Sequence, residues 1–174
     1  MNHFDVAVIG LGPVGAVMAG LLGVCGLQVL VIERETDVVD LPRAVHFDDE
    51  AMRVFQTLGV ADQVAAVSRV NKGMRFVDAV GKTLLDWPRP QQESAQGWYP
   101  SYRFHQPDLE RILRARLAEM PNVQIRLGTE LIELVQDDHD VRLVTSGAPA
   151  IVSAVVGCDG ARSIVRAHIG SGTE

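Results

Sequence analysis

Residues Phe4 to Arg34 read FDVAVIGLGPVGAVMAGLLGVCGLQVLVIER, and this stretch decides the fold. Phe4 to Ile9 is a short β-rich run. Gly10, Gly12 and Gly15 follow at once in G-x-G-x-x-G spacing, and a helix-like stretch comes after them. A second β-rich run, Gln28 to Ile32, ends at the acidic Glu33. Strand, glycines, helix, strand and terminal acid stand in one register. Glu33 follows the glycines at close to the roughly 20 residues typical of a dinucleotide-binding βαβ unit.

Each residue type has a physical task in that reading. Gly10 permits the tight turn out of the strand, Gly12 lets backbone approach a pyrophosphate, and Gly15 lets the helix lie close on the strand. Pro13 suits a first helical turn, where an N–H would have no intrahelical partner. The helix N-terminus then offers free N–H groups and about half a positive charge to an anion. Glu33 can accept hydrogen bonds from both ribose hydroxyls of an adenosine. Its charge disfavours a 2′-phosphate, against which Arg34 beside it counts.

The competing reading is a membrane helix, because Ala7 to Ile32 contains no charged residue and is long enough to span a bilayer. Pro13, six glycines within the run and β-branched residues at its two ends oppose that. No Lys or Arg precedes it, so it lacks the basic start of a signal peptide. A parallel strand covered on both faces is apolar all round for a simpler reason. The stretch is therefore expected to be soluble core in a cytoplasmic protein.

The 174 residues carry a net charge of −6, and that length suits one domain burying about 70% of its unfolded surface. The acidic balance argues against a nucleic-acid surface. Cys25 and Cys158, both in apolar surroundings, read as reduced core cysteines. The five histidines (His3, His46, His105, His139, His168) are scattered, with no i, i+4 pairing to another His or Cys, so no metal site is expected. No nucleophile motif is visible.

Along the chain, Thr36 to Val45 is a polar connection that contains Arg43, on a loop near the carboxyl ends of the first two strands, where ligands of open α/β sheets bind. Arg43 could reach a phosphate or a flavin edge, or be a solvated loop arginine. Asp48 and Asp49 can cap a helix running to about Leu58, with Gly59 as its stop, and a short helix over about 61–67 follows. Met74 to Val80 and Thr83 to Trp87 flank Gly81-Lys82 as a hairpin. Trp87 to Gln106 is a long loop rich in aromatics, which either line a pocket or, the preferred reading, pack the hairpin onto the core.

Pro107 to Met120 is an amphipathic helix with Leu109, Ile112, Leu113, Leu117 and Met120 as its core stripe and Glu110–Arg114 as an i, i+4 pair. Gln106 stands just before it, either facing a ligand or serving as a cap-region residue. Val123 to Leu127, Thr129 to Val135, Val141 to Thr145 and Ala150 to Val156 read as strands, with 137–140 a solvated turn. The last strand ends in Gly157-Cys158-Asp159-Gly160-Ala161-Arg162-Ser163, with a helix to about Ile169. Asp159 reads either as a carboxylate beside the phosphate-ribose region or as a helix cap.

Three segments in this order carry a family resemblance: the N-terminal fingerprint, Pro42-Arg43-Ala44 to Asp48-Asp49-Glu50, and Cys158 to Ser163. The chain resembles the N-terminal part of a single-component FAD monooxygenase of the para-hydroxybenzoate hydroxylase superfamily. Its middle segment is most similar to the 3-(3-hydroxyphenyl)propionate hydroxylases. The implied fold class is α/β: a Rossmann-like FAD-binding βαβ core with a parallel sheet, and β-rich insertions at about 70–105 and 129–145. The resemblance implies that Gly10, Gly12, Pro13 and Gly15 hold the FAD pyrophosphate and that Glu33, with Arg34 beside it, holds the adenosine ribose. It also implies that Arg43 and Gln106 approach the FAD, and that the Asp159-Gly160 pair serves FAD and NAD(P)H binding.

Such enzymes take NAD(P)H as co-substrate to reduce the flavin, then use O₂ to hydroxylate a small phenolic substrate. Members of this class continue into a later Gly-Asp flavin motif and the rest of the substrate-holding sheet. This sequence, closing at Gly170-Ser171-Gly172-Thr173-Glu174, is accordingly expected to be a fragment with the ADP half of the FAD site, inactive alone. The competing readings are another FAD enzyme such as a halogenase or epoxidase, an NAD-dependent dehydrogenase, and a non-catalytic nucleotide-binding module. Neither the catalytic residues nor the oligomeric state can be read from the residues.

Overall fold

The computed structural model describes residues 3–41 and 43–171. Pro42 and the terminal 172–174, both quoted above, lie outside the described residues. In order, the chain forms β1 (His3–Ile9), α1 (Pro13–Val24), β2 (Val29–Ile32), β3 (His46–Phe47), α2 (Asp49–Thr57) and α3 (Ala61–Val67). It continues through β4 (Arg69–Val70), β5 (Gly73–Val77), β6 (Thr83–Pro88), β7 (Tyr102–Arg103) and α4 (Gln106–Ala118). The remainder is β8 (Val123–Arg126), β9 (Leu131–Gln136), β10 (Val141–Thr145), β11 (Ala150–Gly157) and α5 (Ile164–His168). Two compact units result, Met1–Asp40 with Glu110–Glu174 and, between them in sequence, Leu41–Leu109.

The first unit is built on a six-stranded sheet in the order β8-β2-β1-β11-β10-β9. The four strands β8, β2, β1 and β11 run parallel, and β10 and β9 close the edge antiparallel. Every residue of β2 is buried, as a central parallel strand covered on both faces requires. Phe4, Ala7, Ile9, Leu30, Ile32, Leu143 and Val152 form part of one apolar cluster with Val165 of α5. The chargeless run from Ala7 to Ile32 is thus strand, helix and strand, and among the described residues no helix is long and apolar enough to cross a membrane. Residues of the 129–145 segment are hydrogen-bonded into this same sheet as β9 and β10.

The second unit holds α2, α3, a small sheet in the order β3-β7-β4 and the two-stranded ribbon β5-β6. Asp48 caps α2 by accepting from the Ala51 N–H at 3.0 Å, and Gly59 (φ +76°) ends the turn beyond it. The ribbon closes through Asp78, whose Oδ1 accepts from Val80 and Lys82 N–H groups. β5 therefore stops at Val77, short of the Val80 expected from the sequence.

The loop aromatics with ring contacts among the described residues gather around Phe47 rather than on the ribbon. Tyr102 stacks on Phe47 at 5.3 Å, and Phe47 also meets Phe55 and Phe104 at 5.4 and 5.1 Å, so the cluster ties β3 and β7 to α2. Every residue of β6 is exposed. The cysteines correct a second expectation: both are free, but Cys25 is exposed at the end of α1 and Cys158 is half-buried.

Candidate functional site

The glycine turn is held from both sides. The Gly10 N–H donates to the Ile32 carbonyl at 2.8 Å, and the Cys158 N–H donates to the Ile9 carbonyl at 2.8 Å. The end of β1 thus meets the ends of both neighbouring strands, β2 and β11. Gly10 has φ +95°, and a Cβ there would lie 2.5 Å from the Cys158 carbonyl oxygen. At Gly15 a Cβ would sit 1.9 Å from the Gly10 carbonyl oxygen. These two glycines are fixed by the fold itself, one by conformation and contact, the other by the approach of α1 to the turn.

Gly12 differs. Its φ is −71°, it stands at the N-cap of α1 without any side-chain cap, and a Cβ built on it meets nothing within 4 Å. Pro13 follows at the start of the helix, as its missing N–H favours. An open face above Gly12, at an uncapped N-terminus of a 12-residue helix, is where an anion finds unsatisfied N–H groups and the positive end of the dipole.

Glu33 is brought directly onto this turn. Its Oε2 accepts from the Leu11 N–H at 2.6 Å and its Oε1 from the Glu35 N–H at 2.9 Å. A carboxylate offers about four lone-pair sites, so capacity remains for two hydroxyl donors. Arg34, in contrast, points away and pairs with Glu35 at 3.1 Å in solvent.

Leu11 is held on its other side by Arg114, which the sequence pairs with Glu110 at i, i+4. Arg114 donates from Nη2 to the Leu11 carbonyl at 3.3 Å and pairs with Glu110 at 3.6 Å. The Arg114 and Glu110 side chains are only 14% and 5% exposed. The signal was present in the sequence: Glu110 and Arg114 each stand one position beyond a leucine of the core stripe, so the pair borders the buried face of α4.

Asp159 and Gly160 stand beside the turn through Cys158, but the Asp159 carboxylate is committed locally. It accepts from Ser163 Oγ at 2.6 Å and from the Ile164 N–H at 2.7 Å, so it braces the start of α5, where Ser163 is the N-cap and accepts from the Arg166 N–H at 2.9 Å. Gly160 supplies φ +77° at the 3-10 turn between them. Burial, with the neighbouring Asp159 charge, pushes the Cys158 thiol up from its ordinary value. Arg43 and Gln106 lie in the second unit, where they meet each other: the buried Gln106 amide oxygen accepts from the Arg43 and Ala44 N–H groups at 3.0 and 2.8 Å. The Arg43 residue itself is exposed.

A parallel sheet, a glycine turn running into an uncapped helix and a carboxylate at the end of the next strand define a Rossmann-type dinucleotide-binding domain. Comparison with known proteins carries this further. Residues 3–174 match the family model for the FAD binding domain, and the chain belongs to that family.

Among curated relatives, a 3-(3-hydroxy-phenyl)propionate/3-hydroxycinnamic acid hydroxylase of Burkholderia vietnamiensis is 42% identical over 97% of this chain and 32% of its own length. A probable NADH-specific resorcinol 4-hydroxylase of Rhodococcus jostii is 40% identical over 95% of this chain and 32% of its own. The chain therefore spans about a third of the length of these relatives. Among solved structures, a p-nitrophenol 4-monooxygenase from Pseudomonas putida superposes with a TM-score of 0.87 at 29% identity, covering 98% of this chain and 44% of that one.

Proposed function

We propose that this chain holds the adenosine diphosphate part of FAD in a flavin-dependent hydroxylase that acts on a small phenolic substrate, with NAD(P)H and O₂ as co-substrates. The observation that carries the reading is the contrast along one turn: Gly10 and Gly15 are filled against backbone, whereas Gly12 faces open space beneath the uncapped start of α1. Such a cradle fits a pyrophosphate, and Glu33 at the same turn fits the ribose hydroxyls. The hydroxylase assignment is supported by the relatives' names, one of which specifies NADH. Two free thiols, one of them exposed, suit a reducing compartment, and we place the protein in the cytoplasm.

Bound FAD supplies electron transfer and oxygen chemistry, while the protein binds, orients and excludes water. The residues of this chain act on the binding side of that division. Glu33 fixes the peptide before Leu11 and Arg114 the one after it, and with the latter the direction of the Gly12 N–H. Gln106 fixes the backbone of Arg43. Asp159 fixes the start of α5 beside Gly10.

The test is a titration of the chain with FAD, followed by quenching of flavin fluorescence, with ADP as competitor. Saturable quenching reversed by ADP is expected. Quenching that ADP does not reverse would remove the adenosine diphosphate assignment, and NADH oxidation stimulated by a phenol in a full-length relative carrying these residues tests the hydroxylase part.

A further inference from the structure

Away from the glycine turn, the second unit contains a cavity of about 600 Å³ lined by Arg69, Lys72, Arg75 and Arg103, with Asp86 as its acid. The chain as a whole has 16 basic against 22 acidic residues, so four cations around one cleft oppose the general balance. Asp86 is already engaged by Arg75 at 2.8 Å. Among the described residues, no carboxylate lies within ion-pair distance of Arg69, Lys72 or Arg103.

Strand register makes the arrangement costly. Arg69 of β4 stands directly opposite Arg103 of β7, so the two arginines share one face of the small sheet. Like charges directly opposite each other on adjacent strands destabilise a sheet. On the other side of Arg103 stands His46 of β3, whose Nε2 is held by the Ser101 hydroxyl at 2.7 Å.

The cleft is nevertheless rigidly framed. Asn71 and Ser101, both 1% exposed, lock β4 to β7 through the Asn71 Nδ2 to Ser101 Oγ bond at 3.0 Å and the Asn71 N–H to Ser101 carbonyl bond at 2.8 Å. The Asn71 Oδ1 then accepts from the Gly73 N–H at 3.2 Å, fixing the start of β5. A satisfied buried polar network of this kind holds the surrounding backbone in one arrangement.

We propose that this cleft is an anion site for the phosphates of a nucleotide, separate from the glycine turn. Planar guanidinium groups match phosphate oxygens in paired hydrogen bonds. Three cations without an acidic partner exceed what a single carboxylate would neutralise. The volume lies in the range of small-molecule sites, roughly 300–1,000 Å³, and exceeds what a simple ion fills. The bound anion removes the repulsion between Arg69 and Arg103.

Trp87, next to the lining residue Pro88, gives a local reporter. Titrations use the full chain carrying Trp98→Phe, which leaves Trp87 as its tryptophan, and Gly12→Val, which closes the glycine turn. Pyrophosphate and ADP are expected to give saturable fluorescence changes that weaken at least tenfold in Arg69→Gln/Arg103→Gln and tighten in Asp86→Asn. ADP binding more tightly than pyrophosphate supports the nucleotide assignment, and equal affinity overturns it in favour of an inorganic anion.

Without ligand, Arg69→Gln is expected to melt at or above the parent temperature, which separates lost binding from lost folding. Lys72→Gln supplies a second variant with the same expected weakening. Unchanged pyrophosphate affinity in the double arginine variant overturns the proposal. Binding seen only when Gly12 is retained does so too, and leaves the FAD reading intact.

Discussion

The Glu33 carboxylate accepts a 2.6 Å hydrogen bond from the Leu11 amide, joining the end of β2 to the turn after β1. With Arg114 on the Leu11 carbonyl, the two peptide planes that flank the Leu11 Cα are each held by a charged side chain. The acid at the end of the second strand therefore has a task in the protein alone, besides any contact with a ribose.

Glu33→Ala is expected to cost about 1.5–3 kcal/mol of stability, the worth of a hydrogen bond to a charged group. FAD affinity should fall together with it, because the turn loses its orientation. Urea unfolding and flavin fluorescence titration measure the two effects. Weakened FAD binding at unchanged stability would show that the Leu11 contact holds nothing.

Gly12 and Gly15 should separate function from folding. Gly15→Ala places a Cβ 1.9 Å from backbone oxygen, which no side-chain adjustment relieves, and should cost about 3 kcal/mol. Gly12→Ala meets nothing and has a permitted φ, so its melting point should stay close to the parent's, within about 0.5 kcal/mol in stability. Its FAD affinity should nonetheless drop, since the methyl group enters the ligand's space. Equal FAD binding by parent and Gly12→Ala would place the pyrophosphate elsewhere.

Arg114→Met should destabilise the chain by about 2–3 kcal/mol, because it removes the Leu11 contact and leaves Glu110 without this cation. Adding Glu110→Gln should recover part of that loss. A double variant no more stable than Arg114→Met alone would refute the coupling between the two side chains, and denaturant midpoints decide it.

A pH effect follows from Asp137 in the β9–β10 turn. The Asp140 N–H, and after it the His139 N–H, hold its carboxyl below the ordinary value of 3.8. A lowered folded value means that the stabilisation is present above the ordinary value and is lost as pH falls through the folded one. The difference in melting temperature between parent and Asp137→Asn should be flat near neutrality and shift against the parent below about pH 4. A difference independent of pH throughout would show that the turn does not depend on the ionised carboxylate.

Much of the site was legible because its causes are local. Gly10 needs a left-handed φ, Gly15 a missing Cβ, Pro13 a position without an N–H partner, and Asp48 a helix start; each leaves a mark at its own position in the chain. The contacts of Asp159 with the start of α5 belong to the same class, since its partners lie within six residues. The two-residue strands β3, β4 and β7 left no such mark, because two residues carry no periodicity. Their pairing rests on the aromatic cluster around Phe47 and on the buried Asn71–Ser101 bonds.

By itself the sequence determined the βαβ unit, the glycine turn and the acid that closes the second strand, since backbone sterics and the burial of parallel strands dictate those residue types wherever they occur. Only the tertiary structure decided that Arg114 reaches the Leu11 carbonyl, that Cys25 is exposed and that Arg69 and Arg103 stand side by side. Those outcomes depend on which surfaces meet after the chain has folded back on itself. Contacts between residues tens of positions apart are set by packing and strand register, which no local pattern encodes.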